Sequence, residues 1–194
     1  MEKHTGDYIM KAVTLKAIRA HTPCAPSWKK LLVSLNKTKA DDTEVGLEYI
    51  LDLLGLDDAL WALRALPESD DAVRLLVCDL VAPAMKYSDD PRPAEAVRIA
   101  REYASGNASL GELDTARYAA RASARYAAWA TARYVAWAAA GAAAGAGAPA
   151  WAAVWASAQW AGWAVAGAEA SDAAHAAARK DQSRIFRDWL RSDT

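Results

Sequence analysis

Cysteine and histidine are scarce in this chain of 194 residues: Cys24 and Cys78 are the two thiols, and His4, His21 and His175 the three imidazoles. The cysteines form no CxxC and have no histidine at ligand spacing, which excludes a zinc finger or a disulfide framework and points to a reducing, cytoplasmic setting. The histidines are far apart and none sits in a nucleophile or metal motif. Neither a GxGxxG, a GKS or GKT loop, nor a GxSxG occurs. Catalytic machinery is therefore not expected, and neither is a resident metal or cofactor. Sustained period-two alternation rich in β-branched residues is also missing, which argues against a sheet and for an all-α class.

Leucine, isoleucine and phenylalanine are absent between Leu113 and Ile185, and charge is absent from Tyr134 to Ala168. The uncharged run is long enough to cross a bilayer, but it is mostly alanine, which contributes little transfer free energy, and Gly141, Gly145, Gly147 and Pro149 interrupt it. A membrane hairpin is therefore not expected. Met1 to Met10 carries three charges and no apolar run, unlike a signal peptide.

What is present is segregated charge. The net charge of −1 conceals +6 over residues 1–40, −11 over 41–114, +3 over 115–170 and +1 over 171–194. Length and the 54% hydrophobic content favour one domain over 1–194, with a short-helix subregion (1–108) followed by a long-hairpin subregion (109–194).

In the first subregion, helical spacing of Ile9, Val13 and Ala17 predicts a helix that stops at Thr22-Pro23-Cys24-Ala25-Pro26. A second helix carries Trp28, Leu31, Leu32 and Leu35 on one face. Asp41 or Asp42 is expected to cap a third, which ends at Gly55. Asp57 or Asp58 opens the next, with Arg64 able to pair across a turn. Ser69-Asp70-Asp71 opens another, which Pro83 ends or kinks. Asp89-Asp90-Pro91-Arg92-Pro93 reads as a turn with a structural ion pair, its second proline suited to the first position of a helix running to Tyr103.

Ser109 and Glu112 form a capping box that predicts a long helix from Ser109 to Ala140, and beyond a Gly/Ala/Pro turn a partner from Pro149 to Lys180. Alanine is the strongest helix former and allows close approach, so the two are expected to pack as an antiparallel hairpin.

An Ala-Arg-Tyr motif recurs every eight residues at 116–118, 124–126 and 132–134. Eight residues exceed two turns, so each copy is rotated by about 80° from the last. Rows at i+4 are more telling. One reads Arg117, Arg121, Arg125, Trp129, Arg133, Trp137; its neighbour carries Tyr118, Tyr126 and Tyr134. The partner helix supplies Trp151, Trp155, Gln159 and Trp163, with Trp160 beside them. Such rings can simply fill the space that alanine leaves between helices, with arginine stems lying over them. Read as a site, the same rings wall a groove in which guanidinium forks meet few local acids. That combination suits an anionic molecule containing a base, because rings stack on the base and arginines hold the oxyanions. Extended nucleic acid is not expected, since the basic row is short and the protein otherwise acidic. His175, three residues after Asp172, reads as half of a surface pair.

Cys24 to Trp28, Gly55-Leu56-Asp57-Asp58-Ala59-Leu60-Trp61-Ala62-Leu63-Arg64-Ala65, Cys78-Asp79, Asp90-Pro91-Arg92-Pro93 with Ala100-Arg101, and the tail from Gln182 to Leu190 together resemble the immunity-protein family found beside polymorphic toxins and in phage genomes. The resemblance covers nearly the whole chain, and Gly55 to Arg64 is its most specific part. It implies a non-enzymatic neutraliser in conflict between bacteria or between phage and host, and carries over no binding residues. Two modes are consistent with it. The protein sequesters a nucleotide-derived immune signal in the Arg/Trp/Tyr groove, as a sponge, or it blocks a protein toxin, the acidic 41–114 segment meeting a basic partner. Gly141 and Gly145 also leave a homo-oligomer open.

Overall fold

The structure is a computed structural model that describes residues 11–66, 70–127, 130–144, 150–169 and 171–192. It is predominantly helical. The contacts group into two compact units, residues 1–66 with 187–194, and residues 67–186.

In the first unit, strand β1 (Ala12–Thr14) pairs antiparallel with β2 (Glu44–Gly46), with Val13 opposite Val45. This small sheet departs from the sheet-free expectation and from the first predicted helix, of which Ile9 lies outside the described residues. The reason lies in Thr14. Its backbone is extended (φ −82°, ψ 152°) and its hydroxyl accepts from Ala17 N at 3.1 Å, so the helix can begin only after it. Val13 and Val45 gain burial by pairing, each 3% exposed. Helices α1 (Leu15–Ala20), α2 (Ala25–Ser34), α3 (Leu47–Leu54) and α4 (Leu56–Ala62) follow, and Leu15, Leu31, Leu47, Ile50 and Leu60 close the core between them.

Asp41 does not cap α3. It folds the loop before β2 by accepting from Thr43 N and Lys37 Nζ, and Gly46 occupies the cap position instead. Gly55 does end α3, at φ +95°, a conformation that strains any L side chain. Asp57 and Asp58 fall within the first turn of α4, where their charge favours the positive end of the helix, and Asp58 accepts from Ser27 Oγ at 2.9 Å. Arg64 donates to Trp61 O at 3.0 Å and lies 4.5 Å over the Trp61 ring. The last residues return to this unit. Arg187 pairs with Asp52 and Glu48, Arg191 with Glu48, and Lys11 lies over Trp189.

The second unit contains α5 (Asp70–Val81), a 3-10 turn at Ala82–Tyr87 where Pro83 interrupts the helix, α6 (Pro91–Ala104), α7 (Leu110–Tyr126), α8 (Ala130–Ala142) and α9 (Ala150–Glu169). The final helix α10 spans Asp172–Leu190. Pro91, not Pro93, takes the first position of α6. Asp90 caps that helix, binds Arg92 through both oxygens and accepts from Ser123 Oγ at 2.7 Å, which ties α6 to α7. Ser109 and Glu112 complete the capping box that opens α7.

The two long helices expected from Ser109 and from Pro149 are each interrupted. The first breaks at Ala127, whose ψ of 122° is extended, and the second ends at Glu169 before α10 starts. No glycine or proline lies between residues 112 and 140 to mark the first break. Its reason is packing: α7 lies against α6 and also against α8, while α8 lies against α9, contacts that one straight helix cannot make along its length. The subregion boundary placed at 108/109 falls inside the second unit.

Small residues set the spacing here. A Cβ on Gly167 would stand 2.7 Å from Thr131 Oγ1 across α8 and α9, and one on Gly162 would stand 3.3 Å from His175 Nε2 across α9 and α10. Among the described residues, Arg74, Ser123, Ser157 and Gln182 are polar side chains buried in this core. Arg74, 3% exposed, donates to the carbonyl of Ala142, the last residue of α8, and to that of Ala144 just beyond it, and lies over the Tyr103 ring, satisfying an orphan carbonyl of that helix. Gln182, 4% exposed, donates to Leu80 O and Ala158 O and accepts from Arg179, joining α5, α9 and α10.

Candidate functional site

Helix α7 buries Leu113, Ala116, Ala120, Ser123 and Ala124, a stripe at helical spacing that turns the opposite face to solvent. That outer face carries Tyr118, Arg121, Arg125 and Tyr126. Tyr118 is 62% and Tyr126 76% exposed, unusual for rings with no apolar cover. Arg121 and Arg125 are exposed and make no hydrogen bond or ion pair among the described residues. Arg117 is different. It is half-buried, 3.5 Å from Asp114 and 5.7 Å over the Tyr118 ring, so part of its charge is already matched.

The break at Ala127 divides the expected arginine row. Arg133 and Trp137 belong to α8, and Trp129 lies outside the described residues. Arg133 is exposed and donates to Ala127 O at 3.5 Å, close to the limit of a hydrogen bond. Tyr134 and Trp137 are half-buried.

On α9 the i+4 row of Trp155, Gln159 and Trp163 runs along the side away from the buried Val154, Ser157, Ala158, Ala161 and Ala164. Trp155 and Trp163 are each 48% exposed, and the side chain of Trp151 is outside the described residues. The ring that meets Trp137 is Trp160, with centroids 5.6 Å apart and planes at 40°. Trp163 instead stacks on His175 of α10 at 4.5 Å and 23°. His175 therefore makes a ring stack and no ion pair with Asp172. The predicted residues thus form separate groups: a Tyr/Arg stripe on α7, a Trp137–Trp160 contact between α8 and α9, and two half-exposed tryptophans on α9.

About half of the acids of the 41–114 segment are paired within the protein. Asp41, Asp42, Glu48, Asp52, Asp79, Asp90, Glu95, Glu102 and Asp114 all stand in ion pairs. Hydrogen bonds from Arg92, Ser123 and the Arg92 backbone hold the Asp90 carboxyl well below the usual carboxylate range, and the Lys37 ammonium holds Asp41 at about 2. Burial pushes the Cys78 thiol up to about 11, which leaves it a poor nucleophile at neutral pH. Among the described residues, no three of His, Cys, Asp and Glu gather as a metal site, and no helix is long and apolar enough to cross a membrane.

A cavity of about 180 Å³ lies in the second unit, with Leu80, Ala84, Ala161 and Ala174 buried in its lining and Lys86, Tyr87, Glu169 and Asp181 among the polar groups lining it. Its residues come from four elements and share no sequence spacing, so only their packing reveals it. Searched against known families, curated proteins and solved structures, the chain matches none.

Proposed function

We propose that this protein is a non-enzymatic, immunity-type antagonist in bacterial or phage conflict, acting by binding and sequestering an anionic, nucleotide-derived immune signal. The observation that carries the reading is the outer face of α7, which exposes Arg121 and Arg125, without a hydrogen bond or ion pair among the described residues, together with the rings of Tyr118 and Tyr126. Here the arginines are free to grip phosphate oxygens bidentately while Tyr118 and Tyr126 stack on a base. In this reading α8 and α9 form an antiparallel hairpin, and Trp155 and Trp163 extend the aromatic surface. In this reading the exposed outer face of α7 is the binding surface. The alternative is that the protein blocks a protein toxin, with the acidic 41–114 segment meeting a basic partner; nine of the seventeen acids of that segment already stand in ion pairs.

A thermal-shift screen with mononucleotides, cyclic mononucleotides and cyclic oligonucleotides tests this. A ligand at 100 times its Kd stabilises by about 2.7 kcal/mol, and each kcal/mol raises the Tm of a chain this long by roughly 2–4 °C. A shift of about 5–10 °C is expected in the wild type and is lost in Arg121→Ala/Arg125→Ala. If none of these compounds shifts the wild type, or the double variant responds equally, the sequestration reading fails.

A further inference from the structure

The cavity in the second unit is separate from the α7 face and is built differently. Four of its lining residues are aliphatic and buried: Leu80, Ala84, Ala161 and Ala174. Val165 and Ile185 continue the apolar wall. At about 180 Å³ it exceeds the roughly 150 Å³ of an aliphatic cavity that holds a benzene ring. An apolar body of one ring therefore fills it.

The wall is also held firmly. Gln182 lines the cavity, but its amide is committed to Leu80 O at 3.4 Å, Ala158 O at 2.8 Å and Arg179 Nη1 at 2.9 Å. It fixes α5, α9 and α10 around the space and contributes no free polar group to it.

Polarity enters through exposed groups. Glu169 accepts from Tyr87 Oη at 2.8 Å through one oxygen, Oε1, which leaves Oε2 for another donor. Asp181 pairs with Arg184 Nε at 4.0 Å, and both side chains are about two-thirds exposed (68% and 65%), so its charge is weakly matched among the described residues. The opposing cation is Lys86, whose ammonium sits 4.8 Å over the Tyr87 ring. Two carboxylates against one ammonium leave a net negative lining.

We infer that this cavity binds a small amphipathic amine, with a single-ring apolar body against the aliphatic lining and a protonated amino group against Glu169 or Asp181. The apolar part supplies affinity through burial, and the carboxylates set the charge preference.

Phenethylamine is the probe, measured by isothermal titration against wild type, Ala178→Leu and Glu169→Gln/Asp181→Asn, with 3-phenylpropionate as the opposite-charge arm. Ala178 lines the cavity, so leucine there fills it and is expected to abolish binding. The double variant keeps shape and hydrogen-bond acceptors while removing both charges, and circular dichroism verifies that each variant retains wild-type helicity. Its affinity is expected to fall about tenfold, and 3-phenylpropionate to bind at least tenfold more weakly than the amine. The inference is overturned if phenethylamine fails to bind wild type. It is equally overturned if a folded Ala178→Leu protein binds as wild type, or if the acid binds as tightly as the amine. Because the α7 face contributes nothing to this cavity, the outcome is independent of the nucleotide test.

Discussion

Substituting Gly167 by alanine sets two effects against each other. Alanine favours a helix over glycine by up to about 1 kcal/mol, and Gly167 is exposed on one side, so this gain is available in part. Against it stands geometry: the new Cβ would lie 2.7 Å from Thr131 Oγ1 and 4.0 Å from Thr131 Cα. A contact of 2.7 Å requires movement, and threonine is stiff at χ1 because its Cβ is branched. Overpacking of this kind costs about 1–3 kcal/mol. The net expectation for Gly167→Ala is a loss of roughly 1–2 kcal/mol, with the clash outweighing the helical gain. In a Thr131→Ala background the obstructing oxygen is gone. The same substitution should then stabilise by a few tenths to about 1 kcal/mol. Urea unfolding followed by circular dichroism on the four proteins of this cycle yields a coupling near 2 kcal/mol. A stabilising effect of Gly167→Ala in the wild-type background would refute the close approach of α8 and α9.

Other outcomes follow from the same packing. Arg74→Ala leaves the carbonyls of Ala142 and Ala144 without their donor and opens a void in the core, so a loss of about 3 kcal/mol or more is expected in urea unfolding. Thiol titration should find Cys24, which is exposed, reactive in the native protein, and the buried Cys78 reactive only in denaturant. A native count of two reactive thiols contradicts this. Asp41 and Asp90 both have folded-state pKa values below their unfolded ones, so their contribution to stability is present above the ordinary value of 3.8. It is lost as pH falls, for Asp41 through about 2. Asp90→Asn should accordingly be less stable than wild type at pH 7, and the gap in urea midpoints should narrow at pH 3. An unchanged gap would remove Asp90 from the acid response.

Local chemistry made parts of this protein legible without a structure. The Ser109–Glu112 box, Gly55 as a helix stop, Pro83 as an interruption and the Asp90–Arg92 pair each depend on a few neighbouring residues, so their spacing alone specified them. The predominance of helix followed equally from alanine content and periodicity. Short strands were not legible. Val13 and Val45 lie far apart in the chain, and apolar residues four apart look helical until the pairing partner is known. The same applies to His175, whose place under Trp163 depends on how α9 meets α10.

The sequence by itself therefore determined where helices can form and which residues carry charge and rings. Tertiary structure decided which of those residues face each other. An i+4 row describes a face only while the helix continues, and the break at Ala127 put Arg121 and Arg125 on one helix and Arg133 and Trp137 on another. Alanine is the physical reason the break could not be foreseen. It favours helix everywhere and specifies no contact, so the packing of α6, α7, α8 and α9 chose where the chain turns and which rings were left in water.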